Sequence, residues 1–247
     1  MLTDAGERFV EQVKKIILIE KEMGLELLEI LKEEIGELKI AFPIMRGTYM
    51  LPCTLPMFKK KYPLVKVNVQ EADSYVLEGM LLRGEIDLAF FNLPVRSPEI
   101  DYEIISHEEV VLIMSPEHPM ADQGVHKVGC KYPWIDLQLL KNEGFILQSP
   151  DQLTRQISGK LFKKAGIEPN ILLSIHNILA LVKLVVNGYG LSFVCETHLR
   201  HISSSENLIR FSVGSPCTTA NFVAAFRKGI YLPYYTRDYI QIVKEFT

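Results

Sequence analysis

Two hydrophobic periods alternate along this chain. Before residue 34, apolar positions recur at Phe9, Val13, Ile16, Met23, Leu27 and Ile30, mostly three, four or seven apart, with Glu and Lys between them. A narrow apolar stripe on a charged helix suits a helix–helix seam. Thr3 or Asp4 can cap its start, with Glu7 in the first turn. Gly24 weakens the middle by up to about 1 kcal/mol relative to Ala, so the helix can bend or break there. Packing on its own domain fits the stripe as well as pairing with a second copy does. Its place ahead of the first strand, with no neighbouring partner helix in sequence, favours dimerisation.

From Leu38 the pattern changes to short apolar runs separated by amphipathic segments, which predicts βαβαβ. A strand over 38–42 ends at Pro43, and a loop with Arg46 and Gly47 leads into a helix over 48–61 carrying Leu51, Leu55 and Phe58, with Tyr62 beyond it. Val65–Val69 alternates as a strand, Asp73 or Ser74 caps the next helix, and Ile86–Phe91 is an almost wholly apolar strand buried on both faces. Such units pair in parallel through right-handed crossovers. Ile104–Ile105 and Val110–Met114 read as two further strands. A second alternating unit follows: a strand at 145–147, a helix over 151–165 closed by Gly166, a strand at 171–173, a helix from Asn177, and a buried strand at 191–194. Strands near 208–211 and 222–226 and a helix after Pro233 complete the chain. Two such units without a linker predict two lobes with a cleft between them, an α/β fold. A strand feeding a tight turn and then a helix aims the helix's unpaired N–H groups beyond the strand's carboxyl end, where open α/β sheets bind small ligands.

Composition narrows the class. At 247 residues and 48% hydrophobic, the chain can build real cores, and no run approaches the roughly 18 apolar residues of a membrane span. No secretory pattern opens it, so a cytoplasmic location with no membrane contact is expected. Cys53, Cys130, Cys195 and Cys217 are widely spaced without a C-x-x-C, which favours reduced core thiols over a disulfide framework or a zinc site. The net charge is −3; the first 34 residues hold nine acids and five bases, leaving the remainder near +1. Lys59–Lys61 ends a helix and suits its dipole better than it suits nucleic acid. By itself this chain does not read as a DNA binder.

The order and spacing of several motifs resemble the effector-binding half of a LysR-type transcriptional regulator. Leu2-Thr3-Asp4-Ala5-Gly6-Glu7-Arg8-Phe9 resembles the family's L-T-x-A-G-x-x-F, where the winged helix-turn-helix gives way to a linker helix. Leu82-x-Gly84-Glu85-Ile86-Asp87-Leu88-Ala89 resembles a segment of the first regulatory lobe. His118-Pro119 and Val185-x-x-Gly188-x-Gly190-Leu191 resemble landmarks of the second. The resemblance implies two Rossmann-like lobes of the type II periplasmic-binding-protein kind, joined by two crossover strands and preceded by a long N-terminal helix. It places the linker helix at residues 1–35, the first lobe at 36–97 and 207–247, and the second, with the crossovers, at 98–206. The family's DNA-reading helices would precede Leu2, so DNA enters only through that missing domain, and the assembly expected is a homodimer or homotetramer.

In that fold a small ligand sits between the lobes, held by loops that follow strands and open helices. Here these supply Pro43, Met45, Arg46, Thr48, Asn92, Gln148, Ser149, Thr154 and Asn177 as effector-binding candidates. Helix N-termini carry about half a positive charge and Arg46 adds a full one, which suits a small organic anion such as a carboxylate or amino acid. An exposed loop arginine is the plain alternative for Arg46, and turn or cap roles are the alternatives for Asn92 and Asn177. No catalytic residue, metal ligand or cofactor is expected. Neither Ser115-x-x-His118 nor His198-x-x-His201 has a third group at useful spacing, and His107, His126, His198 and His201 read as surface or turn residues. The function expected is effector sensing, not catalysis. A stand-alone solute-binding protein of a transport system is the alternative, although such a protein has no use for the linker helix.

Overall fold

A computed structural model describes residues 3–30, 35–202, 207–215 and 217–247. Helix α1 (Asp4–Ile30) opens the chain. Thr3 caps it, its Oγ1 accepting from the Gly6 N–H at 3.2 Å, and Gly24 does not interrupt it. Phe9, Ile16 and Met23 are 70%, 64% and 60% exposed; the side chains of Leu27 and Ile30 lie outside the described set. The remaining elements are β1 (Gly36–Phe42), α2 (Ile44–Lys61), β2 (Val65–Glu71), α3 (Ser74–Leu82), β3 (Leu88–Asn92), β4 (Ile100–Met114), β5 (Gly144–Gln148), α4 (Leu153–Ala165), β6 (Asn170–Ile175), α5 (Ile178–Val186), β7 (Ser192–Cys195), α6 (Glu196–Arg200), β8 (Ile209–Ser212), β9 (Thr219–Arg227) and α7 (Tyr234–Phe246). Among the described residues no helix is long and apolar enough to cross a membrane.

The chain divides into two compact units, one of residues 1–106 and 223–247, the other of 107–222. It passes from the first to the second within β4 and returns within β9. Residues 98–106, assigned above to the second lobe, fall in the first unit, and residues 207–222, assigned to the first, fall in the second, where β8 pairs antiparallel with β4, Ile209 opposite Met114 and Ser212 opposite Val111.

In the first unit β1 lies between β2 and β3, parallel to both, with β9 beside β3. Strand β1 is covered on both faces. Ala41 packs with Leu77, Leu81, Phe91 and Val223 in one cluster, while Phe42 stacks on Phe90 with ring centroids 4.7 Å apart. Helix α2 starts at Ile44, four residues before the expected position, so the anticipated 43–48 loop is its first turn. Its buried stripe is Arg46, Met50, Thr54 and Phe58, displaced from the expected Leu51/Leu55 positions. The polar Thr54 belongs inside because its hydroxyl donates to the Met50 carbonyl at 2.8 Å and meets the Tyr239 hydroxyl of α7 at 3.0 Å. Lys59 ends α2 by donating to the Pro63 carbonyl and Lys61 by pairing with Asp238, the capping expected of that basic run. Asp73 stands at the N-cap of α3 without a side-chain capping bond.

In the second unit β4 pairs antiparallel with β7 and β8, while β5 and β6 form a parallel pair. The expected pair of strands at 104–105 and 110–114 is one strand, hidden in the sequence by His107-Glu108-Glu109, of which Glu108 and Glu109 are buried. Phe145, Phe162 and Phe193 form an aromatic centre, Phe145 and Phe162 edge to face at 4.8 Å. Gly166 closes α4 at φ +66°, a conformation that glycine adopts without a Cβ penalty. His198, expected at the surface, is buried on α6. Of the cysteines only Cys195 is a core thiol; Cys53 is exposed, and Cys130 and Cys217 are half-buried.

Candidate functional site

The first unit presents the start of α2 immediately after β1, with Asn92 at the end of neighbouring β3. Pro43 is the N-cap at φ −61° and ψ 142°, and no side chain caps the helix. Its fixed φ and missing N–H suit that junction. Arg46 is 2% exposed: Nη2 donates to Asn92 Oδ1 at 2.8 Å, and the guanidinium carbon lies 5.8 Å from the Tyr49 ring centre. It is therefore a buried, positioned cation and not a solvent-exposed loop residue. Thr48 is exposed and turns its hydroxyl back to the Ile44 carbonyl at 2.9 Å, while Met45 is half-exposed. A Cβ on Gly47 would stand 2.7 Å from Glu71 Oε1, so the absent side chain admits a carboxylate against the first turns of α2. The Glu71 carboxyl group thus lies at this helix start, a placement with no signal in the sequence.

The second unit has the corresponding arrangement at the β5–α4 corner, with a different polar balance. Gln148 ends β5 and is 4% exposed; Thr154 is the second residue of α4 and is 6% exposed. Gln148 Nε2, Thr154 Oγ1 and Arg155 Nε are all buried without a hydrogen-bond partner. The N-cap residue Gln152 does not cap with its side chain; its amide lies 3.4 Å from Asp151 Oδ2 and from His176 Nε2. The start of this 13-residue helix thus combines first-turn backbone N–H groups that the Gln152 side chain does not cap with buried side-chain donors that have no protein acceptor. A buried polar group without a partner costs about 1–3 kcal/mol, and such groups are rare unless a water, ion or ligand meets them. The chemistry of the corner is hydrogen-bond donation to an acceptor, preferably an anion.

Ser149 is half-buried in the same turn. Asn177 is exposed and engaged as the cap of α5, its Oδ1 accepting from the Ala180 N–H at 3.0 Å. Of the nine expected residues, the structure joins Arg46 directly to Asn92 in the first unit, and places Gln148, Ser149 and Thr154 at one corner of the second. Thr48 and Asn177 are occupied by helix-local bonds. Arg155 was missed, although the sequence carried a signal: a cation in the first turn of a helix opposes the dipole, and it stays there only with an anionic counterpart or a structural reason.

A third polar cluster, also in the second unit, is built around a partnered carboxylate. Glu196 at the start of α6 accepts from Tyr132 Oη at 2.8 Å and the Glu109 N–H at 3.3 Å, and pairs with Lys131. Burial pushes its carboxyl up, but Lys131, Tyr132 and the Glu109 amide together hold it below the usual range. Burial, with the adjoining carboxylate, pushes the Tyr132 hydroxyl up to about 12.

Comparison with known proteins agrees with this geometry. Residues 32–247 match the family described as LysR substrate binding domain. The chain is 27% identical to the uncharacterized HTH-type transcriptional regulator YcgK of Bacillus subtilis (strain 168), covering 99% of this chain and 77% of that one. It is 27% identical to the Hca operon transcriptional activator HcaR of Escherichia coli (strain K12), covering 99% and 79%. Its fold is similar to the effector-binding domain of QuiR in complex with shikimate (TM-score 0.68, 21% identity, 86% and 97% covered). It is also similar to the Synechocystis PCC6803 CcmR regulatory domain in complex with 2-PG (TM-score 0.74, 20% identity, 86% and 97% covered). The family match over residues 32–247, with the two α/β units and their crossing strands, identifies the chain as a member of the LysR substrate-binding domain family, the effector-binding part of a LysR-type transcriptional regulator.

Proposed function

We propose that this chain senses a small organic anion, a carboxylate or amino acid, and binds it without transforming it. The observation that carries the reading is the β5–α4 corner, where Thr154 Oγ1 and Gln148 Nε2 are buried without acceptors at an uncapped helix start. A carboxylate oxygen satisfies both groups and meets the positive end of α4. Arg46 is the candidate cation of the first unit, fixed by Asn92. The shikimate held by the QuiR domain is itself a carboxylate, which agrees in kind. Calorimetry against a panel of small acids, shikimate and common amino acids included, tests this. An acid that binds the parent chain is expected to bind Thr154→Val and Arg46→Met at least about tenfold more weakly, a loss of 1.4 kcal/mol each. Unchanged affinity in either variant removes that residue from the site. Recovery of the bound acid unaltered after prolonged incubation is the expected result for a sensor; a new product would replace this reading with an enzyme.

The response passes to DNA through an oligomer, a homodimer or homotetramer in the cytoplasm, whose DNA-binding segments the effector biases between two arrangements. The exposed Phe9, Ile16 and Met23 on α1 support pairing between copies. Sedimentation is expected to find the parent chain dimeric or larger at tens of micromolar and Ile16→Asp smaller. A monomeric parent would remove this mechanical route.

A further inference from the structure

A cavity of about 160 Å³ lies at the C-terminal end of α4, within the second unit. At about 1.5 Å per residue, Lys164 at its rim is roughly 15 Å along the helix from Thr154, so the cavity is separate from the effector corner. Its apolar wall consists of Ile135, Leu137, Leu161 and Ala165, which belong to the core of the unit or pack against it. Trp134 borders it as well, and its indole ring is held in place. Nε1 donates to the Gly214 carbonyl at 2.9 Å, and Lys127 Nζ lies 3.9 Å from the ring centre. An apolar cavity of about 150 Å³ takes up benzene, so the space suits a single ring.

The polar groups around this cavity are mostly committed within the protein. Asp136 Oδ1 accepts from the Gln138 N–H at 3.0 Å as cap of the short 3-10 helix Leu137–Leu140, and the Ala165 carbonyl accepts from Gln138 Nε2. The carbonyls of Phe162 and Lys163 accept from the Ile167 and Gly166 N–H groups at 3.0 and 3.2 Å. With the Gly214 carbonyl taken by Trp134, these acceptors offer a ligand little. The exception is a donor: among the described residues no ion pair or hydrogen bond engages the exposed Lys164 ammonium. We propose that this cavity binds a small aromatic monocarboxylate, its ring packed against Trp134, Leu137 and Leu161 and its carboxylate paired with Lys164. Burial of the ring supplies the attraction, and the ion pair at the exposed rim sets the orientation and the sign of charge accepted. A second negative charge meets the Asp136 carboxylate, which lines the same cavity, so a monoanion is preferred to a dianion.

Trp134 is the only tryptophan of the chain, so its fluorescence reads this cavity directly. The test is titration of the full chain with benzoate, its neutral isostere benzamide, and hexanoate, which has no ring, following Trp134 emission with calorimetry alongside. Benzoate is expected to change the emission saturably, with a dissociation constant of about 1 mM or below. It should bind about fivefold more tightly than benzamide, the most that an exposed ion pair gives. Lys164→Met is expected to abolish that preference while benzamide binding stays as it was, and Lys164→Arg to keep it. Thr154→Val, at the other end of α4, is expected to leave the benzoate titration unchanged. No saturable change, benzamide equal to benzoate in the parent chain, hexanoate tighter than benzoate, or a preference that survives Lys164→Met each overturn the proposal. Loss of benzoate binding in Thr154→Val moves the ligand to the effector corner, which overturns this site and leaves the reading of that corner intact. Lys164 is exposed, so its substitution leaves the fold in place, and the comparison of the three ligands on the parent chain decides in any case.

Discussion

The starts of α2 and α4 stand at equivalent points of their units, each just beyond a buried parallel strand, and they treat polar groups in opposite ways. Around α2 the protein supplies its own counterparts: Asn92 accepts from Arg46, and Glu71 packs over Gly47. Around α4 it leaves Gln148 Nε2, Thr154 Oγ1 and Arg155 Nε buried and without a partner. A partnered buried group contributes to folding, whereas a partnerless one costs folding energy and is retained for something else. The first corner is therefore pre-organised and the second is unsatisfied. Most of the free energy that a polar ligand gains should come from the second.

Removing the acceptor in the first corner gives the largest expected change. Asn92→Leu leaves a buried guanidinium without its 2.8 Å partner. A hydrogen bond to a charged group is worth about 1.5–3 kcal/mol, so urea unfolding should register a loss of that size with the m-value unchanged. A loss below about 0.5 kcal/mol, the range of an ordinary surface change, would mean that the pair is not structural and would dissolve the contrast.

Much of this framework was legible in the sequence. The parallel units, the closing glycine at 166 and the helix after Pro233 follow from period and punctuation alone. What was not legible has physical causes. Pro43 reads as a breaker, yet its geometry makes it an N-cap, so Met45 and Arg46 are helical and the buried face of α2 moves off the expected stripe. Glu108 and Glu109 look like a surface turn inside what is one continuous strand. Gln148 and Thr154 could be named as candidates from their position after a strand. That their polar atoms are buried without acceptors is a property of packing that no spacing reveals.

The Glu196 carboxylate sharpens the comparison, because it lies in the second unit and both of its oxygens have partners. Its pKa is held below the ordinary value of 4.5. The stability it contributes is therefore complete above that pH and is lost as pH falls through the lower folded value. Tyr132→Phe deletes one donor, so the folded value rises and the acid-unfolding midpoint should move to higher pH, with about 1 kcal/mol lost at neutrality. The alkaline limb should respond in the opposite sense. Tyr132 ionises near 12 when folded against 10.0 ordinarily, so its contribution is complete below pH 10 and is lost as pH rises through 12. The phenylalanine variant lacks that loss. An acid midpoint that does not move would show that the cluster is not coupled to folding.

The smallest expected change in stability bears most directly on function. Thr154→Val keeps the shape of the side chain and deletes a hydroxyl that has no partner, and Gln148→Met does nearly the same for an amide. In an ordinary core, replacing a hydrogen-bonded hydroxyl by a methyl group costs about 1 kcal/mol. Here no bond is lost and a desolvated donor is removed, so both variants should unfold within about 0.5 kcal/mol of the parent or be slightly more stable. The same substitutions should weaken effector binding, which separates the two properties at a single atom. A destabilisation of 1 kcal/mol or more would mean that the donors already have a structural acceptor, such as a buried water. The two corners would then differ only in the identity of their partners, and the case for α4 as the ligand's principal anchor would fall with the contrast.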